Sequence, residues 1–140
     1  MKLPYGEEIG HYWQTSRTAP DTWIERAKKV LSDAGGKILT DAYGATADGR
    51  AAFMLIFKIG DSTFKLVWPV LPSSTGNEKA AKIQAATLLY HDVKAKAVAA
   101  TVMGAETAFF SYLLLQDGRV TSELALPELH DVFPKLLAGG

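Results

Sequence analysis

The stretch Ala51-Ala52-Phe53-Met54-Leu55-Ile56-Phe57-Lys58-Ile59-Gly60-Asp61-Ser62-Thr63-Phe64-Lys65-Leu66-Val67-Trp68-Pro69-Val70-Leu71 decides the fold. Phe53, Leu55, Phe57 and Ile59 alternate onto one face, the period of two that marks a half-buried strand. Gly60-Asp61 turns the chain, and Phe64, Leu66, Trp68 and Val70 repeat the alternation. Strands over 51–59 and 63–71, joined by so short a turn, pair antiparallel. Pro69 lacks an N–H, which puts the later strand at a sheet edge. Upstream, 37–46 is a further strand, ending at Ala47-Asp48-Gly49. Asp-Gly suits a tight hairpin because both central positions take positive φ. The simplest pairing is a three-stranded antiparallel meander. Its other face carries Met54, Ile56, Lys58, Lys65 and Val67, less polar than a face left to solvent. Cover by the C-terminal segment is the plainest expectation, ahead of a second subunit or a ligand.

Helices flank this meander in the chain. Trp23, Ile24, Ala27, Val30, Leu31 and Ala34 recur at helical spacing. Thr18 and Asp21 have capping-box spacing before them, and Pro20 is tolerated in a first turn. Gly35-Gly36 supplies the stop. After the loop Pro72-Ser73-Ser74-Thr75-Gly76, Asn77 is a good cap for an Ala-rich helix running to about Met103, with Gly104 as its end. Both helices are expected on the Phe53/Leu55/Phe57/Phe64/Leu66/Trp68 face. Residues 107–115 are ambiguous between helix and strand. Asp117-Gly118 followed by Val120 to Leu126 favours a hairpin, and Pro127 to Leu137 reads as a short terminal helix. Residues 1–17, with Pro4, Gly6 and Gly10 breaking up any helix, read as an N-terminal arm; 18–140 reads as a single α+β domain with an αβββα core and a C-terminal extension.

Composition narrows the function classes. A length of 140 residues fits one domain. The 48% hydrophobic content supports a core. The absence of Cys excludes disulfides, thiolate metal sites and cysteine nucleophiles. No apolar run approaches the roughly 20 residues of a membrane span. Met1 to Glu8 lacks an apolar signal core, so a cytoplasmic protein without membrane contact is expected. Fifteen cations balance fifteen carboxylates. The balance is uneven: residues 77–103 carry four lysines against Glu78 and Asp92, and residues 104–140 carry Arg119 and Lys135 against five carboxylates.

Catalytic motifs are missing. Gly35-Gly36-Lys37 is not a phosphate loop, because Leu31 stands where such a loop needs Gly. His11, His91 and His130 are not in metal-ligand spacing. His91-Asp92 and His130-Asp131 are dipeptides whose side chains diverge on a helix. No GxSxG elbow occurs. The expectation is a non-enzyme without metal or cofactor. The positive signal lies at the start of the Ala-rich helix, where Lys79 and Lys82 join the free N–H groups and dipole of a helix N-terminus.

Ala81-Lys82-Ile83-Gln84-Ala85-Ala86, with Lys79 before it, is similar to the start of the second helix in the double-stranded RNA-binding domain. That family shares the helix, three strands, helix order, and the likeness spans roughly residues 20–90. Glu78 stands where the family has another Lys, Asp48-Gly49-Arg50 replaces its Gly-Pro-x-His loop, and its first-helix Leu-Asn-Glu motif is absent. With its longer second helix and added elements, the chain also resembles the single-strand annealing proteins of homologous recombination. Those assemble into rings around a basic groove. The resemblance implies a nucleic-acid-binding, homo-oligomeric module acting in recombination or repair. Arg50, Lys58, Lys65, Lys79, Lys82, Lys94 and Lys96 are the phosphate contacts expected. Trp68 reads as core rather than as a stacking surface. The alternative is a non-catalytic homo-oligomeric assembly or adaptor protein.

Overall fold

A computed structural model describes residues 3–47, 49–115 and 118–121. Its elements are α1 (Gly6–Ile9), α2 (Pro20–Asp33), β1 (Gly36–Ala45), β2 (Ala51–Ile59), β3 (Ser62–Pro69), α3 (Glu78–Met103) and α4 (Ala105–Ala108), followed by a 3-10 turn at Phe110–Tyr112. The sheet order is β1-β2-β3, antiparallel throughout. This is the expected α+β meander with helices before and after it in the chain.

The expected face makes the core. Phe53, Leu55, Phe57, Phe64 and Leu66 are buried with Ile24, Ala27 and Leu31 of α2 and Ala85, Ala86, Leu89 and Val93 of α3. Phe57 and Phe64 stack at 5.3 Å, and Phe109 meets Phe57 edge-on at 5.4 Å, the offset geometries that ring quadrupoles favour. Trp68 packs half-buried against this cluster. Ala85 and Ala86 join this core from α3, which packs most closely along α2.

Several local expectations need correction. The arm does contain a helical turn: Glu8 reaches back to accept from the Tyr5 N–H at 3.1 Å, and Gly10 ends the turn at φ 73°. The Thr18/Asp21 box does not form. Ala19 is the N-cap of α2 without a side-chain bond, and Pro20 takes the first turn, where no N–H is needed. The β1–β2 connection is longer than a two-residue turn. Thr46 N–H donates to Arg50 O at 2.7 Å and Gly49 takes φ 82°, while Asp48 of the expected turn lies outside the described residues. The two-residue turn occurs instead at Gly60-Asp61, with Gly60 at φ 60°. α3 starts as expected, Asn77 Oδ1 accepting from Ala80 N–H at 3.1 Å.

Residues 105–115 and 118–121 resolve the ambiguous stretch into both alternatives, and Asp117 of the expected Asp117-Gly118 turn lies outside the described residues. α4 and the 3-10 turn come first; then Leu113 bridges Phe64 and Leu114 bridges Val120. Tyr112 Oη donates to Asp92 at 2.6 Å, and Lys96 also donates to Asp92 at 2.6 Å, fastening this segment to α3. Burial, then the Asp92 hydrogen bond, pushes the Tyr112 phenol well above its ordinary range. The expected strand beyond residue 121, the 127–137 helix and the His130-Asp131 pair lie outside the described residues. Among the described residues, no helix packs on the second sheet face: Lys58 and Val67 are exposed, and Met54, Ile56 and Lys65 are half-buried. The described helices pack on the aromatic side.

Phe57→Ala is expected to cost about 3–5 kcal/mol, because the buried ring leaves a cavity, whereas Lys79→Ala is expected to stay within about 0.5 kcal/mol. Urea denaturation of both variants checks the ranking.

Candidate nucleic-acid interface

The bulge in β1 builds the site. Register shifts between Ile38 and Thr40, leaving Leu39 as the extra residue. Ile38 pairs with Phe57, yet Tyr43 pairs with Phe53. The bulge therefore moves odd-numbered residues of β1 onto the helix side. Tyr43 tilts against Phe53 at 4.8 Å and remains 47% exposed. Lys82 of α3 lies over the Tyr43 ring at 4.1 Å, a cation–π contact. Asp41 comes to the same side and pairs with Lys28 of α2 at 2.9 Å. The hydrogen bonds from Lys28 to Asp41 and Glu25 raise the Lys28 pKa.

Tyr43 opens onto a cleft of about 560 Å³ between the β1–β2 loop, the 70–76 loop and the start of α3. Arg50, Ser73 and Tyr5 line it, and Glu78 is the carboxylate among the lining residues. Tyr5 is also exposed. The cleft thus combines two open aromatic rings, a guanidinium and a helix N-terminus, with an ammonium group over one of the rings.

The arm wall of this cleft is fixed by a carboxylate. Glu7 accepts from Ser73 Oγ at 2.9 Å, Ser74 Oγ at 2.8 Å, Ser74 N–H at 3.2 Å and Thr75 Oγ1 at 3.3 Å. Gly6 N–H donates to Pro72 O at 2.9 Å, and Gln84 Nε2 donates to Gly6 O and His11 O at 3.0 and 2.9 Å. A Cβ at Gly6 would meet Gln84 Oε1 at 2.7 Å and the Trp13 ring at 2.9 Å, so only Gly fits. Partial desolvation raises the Glu7 pKa, but the hydrogen bonds from Ser74, its own amide and Ser73 outweigh that and lower it to about 2.

The seven expected basic residues do not form one patch. Arg50 and Lys82 flank the cleft. Lys79 lines a separate hollow of about 350 Å³ with Gln14, Ser16, Arg17 and Asn77. Lys58 and Lys65 lie on the opposite face of the sheet, where register adds Lys37 beside Lys58. Lys94 sits 5.9 Å from the Tyr90 ring centre, and Lys96 is held by Asp92. Sequence reading missed Tyr5, Tyr43 and Glu7. Tyr43 was hidden by the bulge, and Glu7 by the 66 residues separating it from Ser73. His91 stacks on Tyr12 at 5.0 Å. Among the described residues, no group of three or more His, Asp or Glu is placed to hold a metal ion, and no helix is long and apolar enough to cross a membrane.

Comparison with protein-family models, with curated proteins and with solved structures finds no match to this chain.

Because Glu7 is held below the ordinary carboxylate value of 4.5, its stabilising contribution is complete above about pH 4.5 and is lost as pH falls towards 2. Thermal melts of the wild type and Glu7→Gln are expected to differ at pH 6 and to converge over that acidic window.

Proposed function

We propose that the protein binds single-stranded nucleic acid in the cleft between the β1–β2 loop and the start of α3. One observation carries this reading: Tyr43 stands open in a 560 Å³ cleft beside Arg50, with the Lys82 ammonium over its ring. Single-strand binding uses this pairing of an aromatic face for a base with cations for the backbone. Tyr5 offers another ring and Arg50 reads as a phosphate contact, whereas Lys79 lies in the neighbouring hollow and is not part of this cleft. Lys58 and Lys65, on the other sheet face, are not part of this first contact. Annealing in cytoplasmic recombination or repair is the role that the resemblance to annealing proteins suggests for such a module.

A second reading, homo-oligomeric assembly, draws support from the far end of α3. Val98, Val102 and Met103 are exposed there, Val102 at 85%, an apolar stripe of the kind that marks protein contacts. Sedimentation velocity tests it: a concentration-independent monomer removes this reading.

The binding reading is tested by fluorescence anisotropy with a short labelled oligothymidylate. Binding is expected at about 50 mM salt and is expected to weaken steeply as salt rises. Tyr43→Ala is expected to lose about 1–3 kcal/mol, the worth of one stacked base. Arg50→Ala should weaken binding and flatten the salt dependence, whereas Lys58→Ala should leave both nearly unchanged. Undetectable binding at low salt rejects the proposal.

A further inference from the structure

β3 is the edge of the sheet, and the described residues occupy only part of that edge. Val70 N–H donates inward to Ala51 O, whereas Thr63 O accepts outward from Leu114 N–H at 2.8 Å. Backbone groups alternate in direction along a strand, so Lys65 and Val67 direct their N–H and C=O groups outward too. Pro69 follows in the same outward series, where its missing N–H leaves no gap in the β2–β3 ladder. Leu113 and Leu114 pair at Phe64 and Thr63. Beyond them, the outward groups of Val67 meet no partner among the described residues.

An apolar groove of about 350 Å³ lies beside Val67. Val67, Trp68 and Leu71 line it together with Leu88 of α3, Ile9 and Tyr112. Gln84 also lines the groove and is 1% exposed. Both hydrogens of its amide engage main-chain carbonyls, while its Oε1 is buried without a donor. A buried, unsatisfied acceptor is costly. On the outward sheet face, Lys65 stands next to this edge, with Lys58 one strand away and diagonal to it.

We propose that this groove is a docking site for an extended peptide strand of a partner protein, which adds to the sheet alongside Val67. The chemistry of the occupant follows from the walls. Unpaired main-chain groups require a polypeptide backbone, as in other strand-addition complexes. Alternate side chains of the incoming strand point inward, against Trp68 and Leu88, and are apolar. Those between them face outward beside Lys65, and one of them is acidic. The site meets the Tyr43 cleft at Leu71 but rests on other residues, so its failure leaves the nucleic-acid reading untouched.

The test uses an acetylated, amidated heptapeptide alternating leucine with threonine and one central glutamate, titrated into the full-length protein. Trp68 emission and the Val67 amide resonance are both expected to shift saturably, and Val67 amide exchange is expected to slow. A peptide N-methylated along its pairing edge should lose binding. Lys65→Glu should weaken it about two- to five-fold, the scale of a cross-strand charge pair. Equal binding by the N-methylated peptide overturns the proposal, as does an unresponsive Val67 amide. A Val67 amide already slow to exchange in the free protein also overturns it, since the edge would then be filled within the chain.

Discussion

A three-stranded sheet presents two faces to water, and the described helices of this chain cover one of them. That constraint orders the rest. The face with Phe53, Leu55, Phe57, Phe64 and Leu66 is the one buried, because removing aromatic and branched surface from water contributes roughly 1.5–3 kcal/mol for each large side chain. α2 and α3 must then lie side by side on that face, and Trp23 of α2 meets Tyr90 of α3 at 5.2 Å where they touch. Phe109 enters from the far end of α3 and seals the Phe57–Phe64 stack.

The same packing sets up the candidate site. α3 reaches the sheet at the end where β1 and β2 turn, so its first basic turn falls next to Tyr43 and Arg50. The bulge at Leu39 is what presents Tyr43 there: without the extra residue, the alternation that buries Ile38 would carry Tyr43 to the opposite face. The arm is not a loose appendage to this arrangement. Gln84, in the buried half of α3, holds Gly6 and His11 by their carbonyls, and Glu7 gathers the hydroxyls of the loop that leads into α3. The helix, the loop before it and the arm are thereby tied together by hydrogen bonds along one side of the cleft.

Much of the fold was legible because its signals are short-range. Alternation over 51–59 gave β2 its bounds, Asn77 and Gly104 delimit α3 as their chemistry requires, and Pro69 falls on an edge position. The misreadings have physical causes. Thr18 has the right spacing for a cap but loses to Pro20, which sets the start of α2 through its fixed φ. Asp48-Gly49 suits a two-residue turn, yet Thr46 and Arg50 pair one step further out. The site was less legible than the fold. Lysine spacing suggested a continuous patch, but residues close in sequence separate when a sheet has two faces and a helix has a circumference. Lys65 and Lys82 end on different sides of the sheet, and the aromatic partner of Lys82 comes from β1.

The central claim is that the open Tyr43 ring, Arg50 and the α3 start form one binding surface. The most direct measurement is a map of backbone amide shifts in the full-length protein during titration with oligothymidylate at low salt. The largest changes are expected at Tyr5, Tyr43, Arg50, Gly76 and Ala81, around a single cleft. Changes centred instead on Lys58 and Lys65, or no changes at all, would contradict it.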